Sequence, residues 1–290
     1  IYRRDGRVPV AKAIPFGLQH VLAMFVANVT PVMLIASVAA YNGAAFTAID
    51  TALLIQAAML IAGIGTLIQL YPVWRIGSRL PVVMGLSFTF LSAMMTLAAK
   101  DYGLMIGAVI VGGCVEGLLG LTAKYWRRFV SPIVSACVVT TIGFSLLSTG
   151  ISSFASSAVY PTGAWQNLLV AVLTLAACLI YNALAKGFWK QQYVLFGLIV
   201  GDVVSLFFGM VDFASMKETI SELGIIALPK LFAYTPQFEI GAIISVTLVF
   251  LVSAAETIGD TSAVCTGGLG REIMEKEVSG SLACDGFISA

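Results

Sequence analysis

Two carboxylates stand four residues apart in the stretch VSAAETIGDTSAVC, Val252 to Cys265: Glu256 and Asp260. On a helix that spacing puts both on one face, about 6 Å apart. Two acids that close, away from water, do not both ionise easily, so the pair can hold and release a proton near neutral pH. A carboxylate is also the natural acceptor for the N–H groups of a polar ligand. Gly259, between them, leaves room for a close approach. The chemistry this predicts is ligand binding coupled to proton exchange. The stretch follows one of the most apolar runs of the chain, IGAIISVTLVFL. The competing reading puts both acids at the end of a span, in headgroup water. Against it, the apolar pattern continues through Ile258, Ala263 and Val264, and polar loop starts only at TGGLGREIMEKE.

Few other ionisable side chains fall inside apolar runs, where they are costly and face a cavity or a partner. They are His20, Glu116 and Asp202, with Asp285 if the last apolar segment contains it. His20 forms a polar pair with Gln19 early in its run, and Asn28 and Thr30 add polar groups deeper, before Pro31. A lone histidine there reads first as a structural hydrogen-bonding group. Glu116 lies among Gly112, Gly113, Gly117 and Gly120, a pattern of tight helix packing. It reads as an interhelical hydrogen-bonding group, as does Asp202. The five cysteines, Cys114, Cys137, Cys178, Cys265 and Cys284, show no metal or redox spacing and read as buried free thiols. There is no G-x-S-x-G, H-E-x-x-H or phosphate-loop motif, and GGLGRE reads as a turn. No metal and no cofactor is expected.

The elements that position these residues are membrane helices. Of 290 residues, 59% are hydrophobic and 11% charged, with a mean hydropathy of +0.97. A soluble chain carries about 25% charged residues, so this one has too little polar surface for a water-soluble body. The net charge of +1 gives no field for nucleic acid. Runs of about 20 apolar residues predict spans over roughly 14–40, 48–70, 81–99, 103–122, 130–151, 166–185, 192–211 and 239–263, with a ninth beginning near Ser279. Thirteen of the sixteen cations then fall on one side, with the N-terminal tail; Lys100, Lys217 and Lys230 fall on the other. That asymmetry predicts a cytoplasmic N-terminus. The third span is unusual. It opens at Pro81, contains Gly85, and carries a β-favouring run, Ser87 to Phe90. Broken backbone at membrane depth lines a cavity or is buried in protein, and in carriers it marks the ligand site. The longest loop, DFASMKETISELGIIALPKLFAYTPQFE, is expected to carry a short amphipathic surface helix. The chain starts at Ile1 and stops inside an apolar segment at GFISA, so both ends read as trimmed.

Three stretches together, PFGLQHVLAMF, GLSFTF and AAETIGDTSAVC, resemble the nucleobase–ascorbate transporters, and the resemblance covers essentially the whole chain. It implies an all-α polytopic membrane protein with a 7+7 inverted-repeat transporter fold. The family has fourteen spans, of which about eight and a half are present, with a short strand in the discontinuous third span and its counterpart in an absent tenth. It implies a core domain from residues 1–123 and 239–290 and a gate domain from 124–238. It implies that Glu256 accepts hydrogen bonds from the ring N–H groups of a nucleobase, that Phe88 contacts the base with Ser87 adjoining it, and that His20 is tied to the eighth span. Asp260 falls where purine carriers commonly have aspartate and uracil permeases have histidine. The function implied is proton-coupled uptake of xanthine or uric acid across the inner (plasma) membrane, with sodium as the alternative coupled ion and uracil as the alternative substrate. The resemblance also implies a homodimer in the lipid bilayer. The rival of another class is a membrane-embedded enzyme using Glu256 and Asp260 for acid–base work.

Overall fold

The computed structural model describes residues 9–126, 132–157, 159–211 and 233–290, with positions 213, 217 and 221. The helices are α1 (Val10–Ala36), α2 (Ala48–Leu70), α3 (Leu91–Ala98), α4 (Tyr102–Leu121), α5 (Ala123–Trp126), α6 (Pro132–Ser145), α7 (Leu147–Ala155), α8 (Trp165–Leu184), α9 (Tyr193–Phe207), α10 (Ile240–Ala263) and α11 (Glu275–Ser289). Among the described residues, five stretches are long and apolar enough to cross a membrane: Ala48–Leu70, Tyr102–Leu121, Ile133–Ala155, Trp165–Leu184 and Ile240–Gly268. Apolar side chains such as Leu60, Ile64 and Leu67 of α2, and Ile244, Leu248 and Leu251 of α10, lie exposed on helix surfaces. An apolar exterior over helices that satisfy their own backbone is what a bilayer demands. The fold is that of an all-α polytopic membrane protein. The only sheet among the described residues is a hairpin of β1 (Ala40–Tyr41) and β2 (Ala44–Ala45).

The chain divides into two compact units, one of Ile1–Val26 and Phe144–Ala227, the other of Ala27–Gly143 and Leu228–Ala290. In the first, α8 and α9 pack closely. Tyr181 and Phe196 stack with ring centroids 4.4 Å apart. A Cβ on Gly197 would fall 1.9 Å from the Cys178 sulfur, so only glycine admits that approach. The Tyr160 hydroxyl donates to the Phe208 carbonyl at 3.0 Å.

The second unit is built on α4, α10 and α11. Small residues decide its geometry. A Cβ on Gly286 of α11 would lie 2.2 Å from the Gly117 nitrogen of α4, and one on Gly120 would lie 2.4 Å from the Ala283 nitrogen. The two backbones touch, as small residues at a membrane helix crossing allow. On a neighbouring face of α4, Gly112 makes room for the buried Phe250 ring of α10.

Polar groups fix where helices begin. Thr47 and Asp50 form a reciprocal capping box on α2. Asp101 caps α4 by accepting from the Gly103 N–H at 2.7 Å. The same carboxylate accepts from the Asn42 N–H of the hairpin and from the Gln237 amide ahead of α10. Tyr234 donates its hydroxyl to Asp50 at 2.9 Å and stacks on Phe46, with centroids 5.2 Å apart. Burial, with the bond to Asp50, raises its phenol above the ordinary range. Between α10 and α11, Arg271 forks onto Glu277, with N–O distances of 2.6 and 2.9 Å. Glu277, 3% exposed, also accepts from the Met274 N–H that opens α11.

The third span breaks where Pro81 and Gly85 predict. Residues 81–87 are non-helical, a 3-10 turn covers Phe88–Phe90, and α3 completes the span. The difference from expectation lies in the run Ser87 to Phe90, which turns rather than extending as a strand. The Ser87 hydroxyl accepts from the Thr89 N–H at 3.1 Å and starts the turn there. The extended backbone is upstream, and it has no sheet partner among the described residues. The surface helix expected in the long loop lies outside the described residues.

The crossing of α4 and α11 gives a direct test. Gly117→Leu adds bulk against the Phe287 ring and Gly286→Leu against the backbone of α4, and overpacking costs about 1–3 kcal/mol or more. Each is expected to reduce the monodisperse protein extracted from membranes several-fold by fluorescence-detected size exclusion. Gly143→Leu, where a Cβ meets nothing within 4 Å, should leave it unchanged.

Candidate functional site

The break in the third span faces α10 and α11 across a cavity of about 230 Å³. Its walls are the extended stretch Val82–Ser87, then Ser253, Glu256, Thr257 and Asp260 of α10, then Ser281 and Asp285 of α11. This is smaller than the roughly 300–1,000 Å³ of pockets for drug-sized ligands. Among the described residues, no lysine or arginine lines it.

The two acids that opened the sequence analysis both lie on α10, which runs unbroken to Ala263 before a π-helical turn at Val264–Gly268. They therefore share a helix face and a cavity, inside the apolar stretch Ile240–Gly268. Glu256 is half-buried and Asp260 exposed. Two hydroxyls converge on one oxygen of Glu256: Ser87 donates to Oε2 at 3.0 Å and Thr89 at 2.5 Å. Oε1 accepts no hydrogen bond among the described residues. Asp285 joins the site from α11, where the Thr257 hydroxyl donates to its Oδ2 at 2.5 Å. Three carboxyl groups, several hydroxyls and a stretch of free-standing backbone suit a small ligand rich in N–H donors.

The cavity wall is anchored from behind. Met84 N–H donates to Thr66 Oγ1 at 3.0 Å and Leu86 N–H to Asn28 Oδ1 at 2.8 Å. Gln69, fully buried on α2, donates to both Ser78 and Ser281, and so joins the start of the non-helical segment to α11.

Of the residues singled out from sequence, Glu256, Asp260 and Ser87 come together. Phe88 is the first residue of the 3-10 turn beside Ser87 and is not among the residues lining the cavity. His20 lies on α1 within the first unit, with its side chain exposed. Gly259 packs against a neighbouring helix. A Cβ there would meet Ser135 of α6 at 3.0 Å, and Ser135 donates to the Ala255 carbonyl at 2.8 Å. Glu116 is buried as expected, yet neither of its oxygens has a hydrogen-bond partner among the described residues. The Asp202 side chain is exposed rather than held between helices. Only Cys265 and Cys284 are buried; Cys114 and Cys137 are exposed on their helices. Sequence reasoning missed Thr89 and Thr257, and placed Asp285 only weakly. The available signals were the paired hydroxyls of S-x-T in the broken span and the threonine directly after Glu256.

A profile of the Permease family matches residues 11–290. Xanthine permease XanQ of Escherichia coli strain K12 is 30% identical over 308 residues, covering 100% of this chain and 64% of its own length. Xanthine permease XanP of the same strain is 29% identical over 296 residues, 97% of this chain and 61% of its own. Uric acid permease PucK of Bacillus subtilis strain 168 is 30% identical over 275 residues, 93% and 61%. The chain thus spans just over three fifths of the length of the curated relatives it matches.

Access to the cavity is testable by labelling. In a cysteine-free full-length background, Ser87→Cys and Asp260→Cys should react with a small hydrophilic thiol reagent in native membranes. Phe250→Cys, at a position 1% exposed, should resist it. Equal labelling at all three positions would contradict the geometry described.

Proposed function

Because the chain belongs to the nucleobase–ascorbate transporter family of permeases, we propose that it forms the first repeat and the opening of the second in a proton-coupled carrier of oxopurines such as xanthine or uric acid. The observation that carries this reading is the Glu256 carboxylate. Ser87 and Thr89 hold one of its oxygens from the broken span, and the other is left for ring N–H groups of a base. Asp260, one turn along the same face, supports the purine branch over uracil by the family pattern. The names of the relatives, xanthine and uric acid permeases, agree with that choice.

The mechanism follows from those groups. An oxopurine enters edge-on and donates N–H groups to Glu256. Its oxo groups meet hydroxyls and backbone N–H groups of the wall. Asp260 exchanges a proton with the outside solution, and a bound proton together with the base lowers the cost of turning an acid-lined cavity toward the cytoplasm. In this reading core spans (1–123 and 239–290) move against a gate (124–238) in a 7+7 fold, in the inner membrane, with the N-terminus cytoplasmic and two copies forming a dimer. His20 supports the eighth span, and Phe88 packs against the base once bound. The partner strand for the extended wall comes from the tenth span. Sodium in place of the proton is an outcome of the test.

Uptake of radiolabelled xanthine, urate and uracil by the full-length gene, in cells lacking their own carriers, decides the substrate. Glu256→Gln should bind the base roughly tenfold or more weakly, since a hydrogen bond to a charged group contributes about 1.5–3 kcal/mol. Its abundance in the membrane should be unchanged; unaltered uptake would sink the assignment. Uptake should rise as external pH falls and collapse with a protonophore, while Asp260→Asn should flatten the pH response. Dependence on sodium with no response to pH would replace the proton.

A further inference from the structure

The extended wall Val82–Ser87 has no sheet partner among the described residues, yet three of its N–H groups are held: Val82 donates to the Leu80 carbonyl at 2.8 Å, and two others reach side chains of neighbouring helices. Met84 donates to Thr66 Oγ1 on α2 at 3.0 Å, and Leu86 to Asn28 Oδ1 on α1 at 2.8 Å. The Thr66 hydroxyl spends its own proton on the Ala62 carbonyl at 2.7 Å, so it meets Met84 as an acceptor. Asn28 is 1% exposed, and its amide nitrogen has no partner among the described residues. Gly85 lies against it so closely that a Cβ would fall 2.7 Å from Oδ1. Thus a buried side-chain oxygen takes the place that a neighbouring strand would fill.

Successive N–H groups of extended backbone point to opposite edges. Met84 and Leu86, two residues apart, both face the helices. Val83, Gly85 and Ser87 therefore offer their backbone groups to the opposite edge. Ser87 is also the residue whose hydroxyl reaches Glu256.

We propose that Asn28 and Thr66 are positioning residues for substrate recognition: by accepting from Leu86 and Met84 they lock the rotation of the cavity wall, so that the Gly85–Ser87 edge is presented to the base beside Glu256. This rests on the carrier reading given above. Neither residue touches the base. Their effect lies in where the wall's donors and acceptors stand.

The test uses full-length carrier in which Thr66→Val removes the acceptor at nearly constant volume, Thr66→Ser keeps it, and Asn28→Leu removes the second acceptor. Thr66→Val and Asn28→Leu should each raise KM for xanthine roughly three- to tenfold, the range of one neutral hydrogen bond. Maximal rate per carrier in the membrane should hold, and Thr66→Ser should match the wild type. Hydrogen–deuterium exchange, read without substrate on peptides covering residues 82–90, should be faster in Thr66→Val and unchanged in Thr66→Ser. Unchanged KM in both acceptor-removing variants, or a loss that follows abundance alone, overturns the proposal. A wild type that takes up no oxopurine refutes the carrier reading instead. The exchange result then decides the locked wall by itself, and equal exchange in Thr66→Val and wild type overturns it.

Discussion

Inside a bilayer no water completes an unpaired backbone hydrogen bond, and an orphaned group costs several kcal/mol. That constraint governs the second unit. A helix satisfies itself, but the non-helical opening of the third span, Pro81 to Ser87, and the connection that leads into it do so only in part. Every device around it supplies missing partners. Gly77 N–H donates to the Gly280 carbonyl of α11, and Arg79 N–H to the Gln69 carbonyl at the end of α2. The Ser78 hydroxyl accepts from Leu80 N–H. Thr66, Asn28 and Ser87 complete the series. The backbone is irregular here because the surrounding helices carry acceptors in the right places. The reward is a cavity wall of open peptide edge, which no regular helix could provide.

Close packing delivers those helices. The glycine crossing of α4 and α11 draws Asp285 and Ser281 toward the broken span, and Gly112 seats Phe250 so that Phe90 can pack on it with ring centroids 4.5 Å apart. Phe90 closes the 3-10 turn that starts at Ser87. The apolar packing at one end of the turn and the hydroxyls on Glu256 at the other thus fix the same short segment. A carboxylate at this depth is tolerable because donors from another element reach it.

The sequence made some of this legible and left the rest hidden. The i, i+4 spacing of Glu256 and Asp260 carried its own geometry, because a helix is local and periodic. Pro81 and Gly85 announced the break for the same reason. What could not be read were partnerships across the chain. Thr89 and Glu256 are separated by 167 residues, Thr257 and Asp285 by 28, and no periodicity links them. Gly259 looked like room for a ligand because its neighbour, Ser135, is 124 positions away in the sequence. The strand expected at Ser87–Phe90 failed for a local reason: propensity favoured extension, but a serine hydroxyl two residues before an N–H favours a turn. Glu116 shows the opposite limit, since its glycine setting predicted burial correctly but not the lack of a partner.

The connection between α10 and α11 bears on how the three acids of the cavity are held together. Arg271 and Glu277 close it with a two-pronged ion pair, the Arg271 N–H returns to the Cys265 carbonyl, and hydrogen bonding to Glu277 holds the guanidinium above its usual range of protonation. An elbow closed in this way ties the helix that carries Glu256 and Asp260 to the helix that carries Asp285, so one short bridge outside the cavity joins the two helices that supply all three of its acids.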